Sequence, residues 1–196
     1  MDVLIGVGSL AGRGVYAARD FEAGEVVLGY RLRPLDEAEY RALPAGEELF
    51  VHSYGGRRFL YPSPARFVNH ADEPSCYQDF DRGCDVALRP ISRGEPITID
   101  AGEETARELS SFLDAYRDGV GGLVAADAVC WADGRRVAEL GDDTRRSIAG
   151  PQWLIGTGRW EALCSAGVTA GGGPRRLSML LKVITGNWQI VYQHLG

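Results

Sequence analysis

Two short stretches offer chemistry by residue type and spacing: Asn69-His70, within "RFVNHADEPSC", and Gly12-Arg13-Gly14, within "AGRGVYAARD". An amide beside an imidazole puts donors and acceptors on neighbouring side chains, although such a pair flanked by prolines also serves as an ordinary turn. Two glycines around an arginine let the backbone approach a ligand closely and take dihedrals that other residues avoid. Alone, they equally make a plain hairpin turn. A third stretch, "PITIDAG" at residues 96–102, alternates like a strand and ends in a small-residue corner, where it delivers only the methyl of Ala101. His194 is a candidate acid or base, or simply a solvated histidine near a chain end. The cysteines, Cys76, Cys84, Cys130 and Cys164, are far apart and form no CxxC, so they read as buried or half-buried free thiols and no metal is expected.

Composition sets the wider frame. With 45% hydrophobic and 24% charged residues the chain is of the globular class, and it has no apolar run long enough to span a membrane. Its start, "MDVLIGVGSL", has no basic residue ahead of the apolar stretch and does not read as a signal peptide, so a cytoplasmic location is expected. The net charge of −6 lies entirely in the front: residues 1–103 hold 11 arginines against 17 acids, whereas residues 104–196 hold 10 basic and 10 acidic residues. That imbalance disfavours nucleic acid and favours a cationic partner.

Residues 1–30 read as short strands separated by glycine turns, and 35–49 as a helix broken at Pro44. "RRFLYP", "DVALRPI" and "PITIDAG" are further strands, making a mostly-β front with little helix. From residue 103 the pattern changes: Leu109, Phe112, Leu113 and Tyr116 recur at helical spacing. "GGLVAADAVCW" reads as a short helix running into a strand, and "DDTRRSIAG" as a short helix. "WLIGTGRWEALCSAGV", "RRLSMLLKVI" and "NWQIVYQHLG" read as long strands, the last two joined by a hairpin turn at Thr185-Gly186-Asn187. The expected division is therefore 1–103 and 104–196, a mostly-β front followed by an α+β rear.

"AGRGVYAARDFEAGEVV", "RFVNHADEPSC" and "ALRPISRGEPITIDAG", in this order, resemble the SET domain of the S-adenosylmethionine-dependent protein lysine methyltransferases over roughly residues 3–102. The resemblance implies a SET fold in which the Asn-His segment threads a neighbouring loop as a pseudoknot. It implies S-adenosylmethionine as cofactor, with Gly12, Arg13, Gly14, Tyr16, Asn69 and His70 binding it. It also implies a basic protein segment as substrate, a small molecule being the other option.

This chain departs from the family pattern at several positions. Ala71-Asp72 stands where relatives carry Ser-Cys, and Cys76 has no cysteine-rich tail with which to share a zinc ion. Ala101 occupies the place of the tyrosine nearest the transferred methyl group, and Ile99 a place that is often aromatic. Tyr54, Tyr61 and Tyr77, in segments that border the lysine channel in relatives, are the candidates to supply the missing hydroxyl.

The rear half resembles the cone-shaped α+β fold of nuclear transport factor 2 and the SnoaL-like polyketide cyclases, on "FLDAYRDG", "LVAADAVCW", "GTGRWE" and "LSMLLKVITGNWQIVYQHLG". That resemblance implies a curved antiparallel sheet, a homodimer through it, and a pocket for which Trp131, Trp153, Trp160, Trp188, Tyr192 and His194 are candidate lining residues. Three functions follow as expectations: a lysine methyltransferase, a non-methylating SET-like scaffold, or a small-molecule isomerase or cyclase working through the rear pocket.

Overall fold

The computed structural model describes residues 2–8, 12–132, 134–155 and 161–196. The chain divides into two units, residues 1–52 with 59–106, and residues 53–58 with 107–196. Among the described residues no helix is long and apolar enough to cross a membrane.

The first unit is built from short strands because its apolar runs are four or so residues long and end in glycine turns. Its strands are β1 (Val3–Gly6), β2 (Gly14–Ala17), β3 (Val26–Gly29), β4 (Arg33–Leu35), the unit's part of β5 (Val51–Tyr54) and of β6 (Arg57–Leu60), β7 (Asn69–His70), β8 (Cys76–Asp79), β9 (Cys84–Ala87) and β10 (Pro96–Ile99). They form small sheets in the orders β1-β2-β10-β7, β3-β9-β8 and β4-β6-β5. The short helix α1 (Glu37–Arg41) is started by a capping box: Glu39 N–H donates to Asp36, and Asp36 N–H donates back to the Glu39 carboxylate. Strand β5 was not expected from the sequence.

The end of "PITIDAG" is a strand-to-helix junction. Strand β10 stops at Ile99, Asp100 Oδ1 accepts from Gly102 N–H at 2.8 Å, and helix α2 (Ala101–Arg117) begins at once. Asp100 thus caps the helix, and Glu103 and Glu104 in the first turn suit the positive end of its dipole. Residue 103, where the sequence pattern changes, lies within this helix. Leu109, Phe112, Leu113 and Tyr116, at the spacing read from the sequence, are all buried on one face of α2.

The second unit packs that face on a six-stranded sheet, order β12-β11-β16-β15-β14-β13. The strands are β11 (Val124–Ala132), β12 (Arg135–Val137), β13 (Ala149–Ile155), β14 (Glu161–Ala170), β15 (Gly173–Ile184) and β16 (Asn187–Leu195), with a short helix α3 (Asp142–Arg146) before β13. Three expectations are corrected. "GGLVAADAVCW" has no helix: Val124 to Ala132 is strand, its branched residues favouring the pleat. "WLIGTGRWEALCSAGV" is not one strand but two, β13 and β14, paired antiparallel; "GTGRW", with Trp160, lies outside the described residues. The sheet is not wholly antiparallel, because β11 runs parallel to β16. Thr185 and Gly186, both at positive φ, form the tight two-residue turn between β15 and β16.

Candidate functional site

Glycine geometry shapes the turn between β1 and β2. Gly12 sits at φ +73 with open space where a side chain would stand. Gly8 has no such freedom: a Cβ there would meet the Arg13 carbonyl oxygen at 1.8 Å, so only glycine lets the turn close. Sequence reading missed Gly8, because nothing local shows what its backbone will meet. At Gly14 a Cβ would lie 3.1 Å from Gly8 Cα, 3.2 Å from Asn69 Nδ2 and 3.3 Å from the Tyr16 ring, so the missing side chain lets these three residues close on one another.

Asn69 reaches the turn from far along the chain. Strand β7 pairs in parallel with β10, Thr98 opposite Asn69 and Ile99 opposite His70. From there Asn69 Nδ2 donates to the Arg13 carbonyl at 3.1 Å, which fixes the amide against the turn. The Arg13 guanidinium lies 4.9 Å from the Phe67 ring centre, a cation–π contact. Tyr16 spends its hydroxyl on the Val7 carbonyl, so only its ring face remains for a ligand. His70 is half-exposed; its Nδ1 accepts from Ala101 N–H at 3.2 Å and ties β7 to the head of α2. Gly12, Arg13, Gly14, Tyr16, Asn69 and His70 thus fall along one connected path.

The candidate tyrosines are not brought together. Tyr61 is buried, with its ring 5.3 Å from that of Tyr30 and 4.8 Å from that of His52. Tyr77 is exposed on β8, turned away from its buried neighbour Cys76. Tyr54 falls in the hairpin tip that belongs to the second unit. In their stead Tyr30, His52 and Gln78 stand around Tyr61, and Glu104 lies beside His52. Sequence reading missed Asp85, an acid inside a strand whose four residues are all buried.

All four cysteines are buried free thiols. Burial pushes Cys76 up to about 12 and Cys164 to about 11, so neither is a ready thiolate. Among the described residues no cluster of His, Cys, Asp and Glu stands as a metal site.

In the second unit Trp188 is fully buried and donates from Nε1 to Glu108 at 2.9 Å. Tyr116 Oη donates to Gln193 Oε1 at 2.9 Å, and Gln193 Nε2 donates to Cys130 Sγ at 3.0 Å. These polar groups are satisfied within the core. Trp153 packs at the core margin, whereas Trp131, Tyr192 and His194 occupy the opposite face of the sheet and do not line the space under α2.

Histone-lysine N-methyltransferase trithorax of Drosophila virilis and that of Drosophila melanogaster are each 31% identical to this chain over 111 residues, an overlap of 45% of this chain. The chain spans only 3% of the length of these relatives. A Plasmodium falciparum chain provisionally described as a histone methyltransferase is 19% identical at TM-score 0.40, with 50% of this chain and 91% of that chain covered. The family model of the SET domain matches residues 12–102, the stretch that holds the Arg13 turn, the Asn69-His70 strand and the junction at Ala101.

Proposed function

We propose that residues 12–102 bind S-adenosylmethionine and transfer its methyl group to the side-chain amine of a lysine in a basic protein segment, in the cytoplasm. The observation that carries this reading is the glycine turn at Gly12-Arg13-Gly14, held by the Asn69 amide on the Arg13 carbonyl, within a stretch that matches the SET domain. Backbone amides, a fixed side-chain amide and one aromatic face form a donor set suited to a ligand with both an amino-acid group and a flat heterocycle. The parallel pairing of β7 with β10 supports a threaded arrangement of the Asn-His segment.

When bound, the cofactor supplies an electrophilic methyl group, and transfer needs alignment and a neutral amine rather than covalent help from the protein. Gly12 and Gly14 let the backbone close on the ligand, Asn69 and Arg13 hold the turn, and His70 fixes the head of α2 beside it. The acidic front attracts a basic segment. Calorimetric titration of the intact chain with S-adenosylmethionine should show saturable binding; none at millimolar cofactor would remove the reading.

Ala101 favours a second reading, a cofactor-binding scaffold that transfers nothing. It opens α2 and uses only its backbone, donating to His70 and accepting from Thr105. The isomerase or cyclase reading gains nothing from the rear core, where Trp188, Tyr116 and Gln193 bond to neighbours.

For the second unit we propose the cone-like fold of the SnoaL family and a homodimer through the outer sheet face. Leu154, Leu163, Leu180, Tyr192 and Val129 stand in register across β13, β14, β15, β16 and β11. Leu154 is 68% exposed and Leu163 49%. Such a band, bordered by Ser165, Ser178 and His194, is self-complementary about a two-fold axis. Light scattering should give a dimer for the intact chain and a monomer for Leu163→Glu; a monomeric wild type would contradict the proposal.

A further inference from the structure

The turn at Gly12-Arg13-Gly14 carries one side chain with a glycine on each side of it, so little within the turn fixes its own backbone. Two contacts from one distant stretch do so. Asn69 Nδ2 holds the Arg13 carbonyl at 3.1 Å, and the Phe67 ring centre lies 4.9 Å from the Arg13 guanidinium. Among the described residues Arg13 forms no ion pair, so the Phe67 ring is what steadies its charge.

Phe67 is itself held by residues that lie outside the turn. It ends the single helical turn Ala65–Phe67, and its ring meets that of Phe50 edge-on, with centroids 5.5 Å apart and planes at 84°. Phe50 closes another helical turn, Glu47–Phe50. Arg66 locks the two together: its Nη1 pairs with the Glu47 carboxylate, its Nε donates to the Tyr61 carbonyl at 2.9 Å, and its guanidinium lies 5.1 Å from the Phe50 ring centre. The Phe50 carbonyl also accepts from Tyr61 N–H at 3.1 Å. The Arg66 side chain is only 14% exposed, so water screens this pair less than an open surface pair. Phe50 packs on the small core of Leu35, Val51 and Leu60, and Phe67 on the main core of the unit.

Arg13, Phe67, Phe50, Arg66 and Glu47 thus form one row: cation, ring, ring, cation, carboxylate. Building on the cofactor reading, we propose that Glu47 and Phe50 are positioning residues for the cofactor turn, acting through Arg66 and Phe67 on Arg13. Glu47 fixes the Arg66 guanidinium against Phe50, and Phe50 fixes the edge of the Phe67 ring on which Arg13 rests. With that ring in place before a ligand arrives, less ordering of the turn is left for binding to accomplish, and affinity is higher by that difference. Without it, the glycines at 12 and 14 leave the turn free to sample other shapes. The cofactor itself need not reach Glu47 or Phe50, so their effect falls on affinity and passes through a side chain whose position can be followed directly.

The test reads Arg13 first and affinity second. In the intact, cofactor-free chain, NMR should find the side-chain protons of Arg13 upfield of free arginine, shifted by the ring current of Phe67. Glu47→Gln and Phe50→Leu should each move them back toward the free value. By calorimetry each variant should bind S-adenosylmethionine about threefold to tenfold more weakly than wild type. In an Arg13→Ala background Glu47→Gln should cost nothing further, because the path to the ligand is already cut. Arg13 protons that stay in place in both folded variants overturn the proposal without reference to the cofactor, and so do losses that add in full when Glu47→Gln and Arg13→Ala are combined. Arg13 protons that respond, with no binding of S-adenosylmethionine by wild type, would sink the cofactor reading instead and leave the row standing as the device that orders the turn.

Discussion

Asn69→Ala is expected to weaken S-adenosylmethionine binding by about tenfold to a hundredfold, the loss that follows removal of one well-placed polar group from a ligand site. The reason is geometric. Asn69 comes from β7, and its side chain is pinned to the Arg13 carbonyl at 3.1 Å, so its removal both deletes the amide and frees the turn. Gly14→Ala should weaken binding by a smaller factor through the same contact. Its Cβ would stand 3.1 Å from Gly8 Cα, 3.2 Å from Asn69 Nδ2 and 3.3 Å from the Tyr16 ring, so the turn and the amide must give by a few tenths of an ångström. Calorimetry on both variants, alongside unfolding curves to establish that the fold persists, checks the pair. Unchanged affinity in a folded Asn69→Ala protein would place the cofactor elsewhere.

Asp85→Asn should stabilise the protein, and do so in a pH-dependent way. Burial raises the folded-state value of Asp85 from 3.8 to about 7. Between those values the unfolded chain has released the proton that the folded chain still holds, so wild-type stability falls as pH rises through this window and levels off above it. Asparagine keeps the shape and lacks the titration. The advantage of the variant is therefore near zero below pH 4, grows up to about pH 7, and reaches about 2 to 4 kcal/mol at pH 8. For a chain of this size that is a rise in the unfolding midpoint of roughly 5 to 15 °C. Equal midpoints for the two proteins from pH 5 to pH 9 would show that Asp85 carries no such penalty.

Much of this was legible in the sequence, and the residues that were not share a cause. The Gly12-Arg13-Gly14 turn, the Asn69-His70 segment and the amphipathic face of α2 are local patterns, and local patterns survive in a sequence. Glycine spacing announces a turn, and Leu109, Phe112, Leu113 and Tyr116 announce a buried helical stripe. The tyrosine–carboxylate cluster is non-local: Tyr30, His52, Gln78, Asp85 and Glu104 come from separate elements, and only pairing of β9 with both β3 and β8 brings Tyr30 and Gln78 toward Asp85. The need for glycine at position 8 is likewise set by a carbonyl the chain meets later. Parallel pairing of β11 with β16 joins segments far apart in the chain, which no periodicity records. Ala101 changed meaning for the same reason. In the sequence it looks like a strand end lacking a hydroxyl; in the structure it is the first residue of a helix that delivers Glu104 to the cluster one turn later.

The most direct test of the central claim is methyl transfer itself. The intact chain is incubated with S-adenosylmethionine and a lysine-rich basic protein, and modified residues are located by mass spectrometry, with Ala101→Tyr run in parallel. The account predicts methyl groups on lysine side chains with the wild-type protein. Methylated lysine from Ala101→Tyr alone, or from neither protein while the cofactor binds, would contradict it.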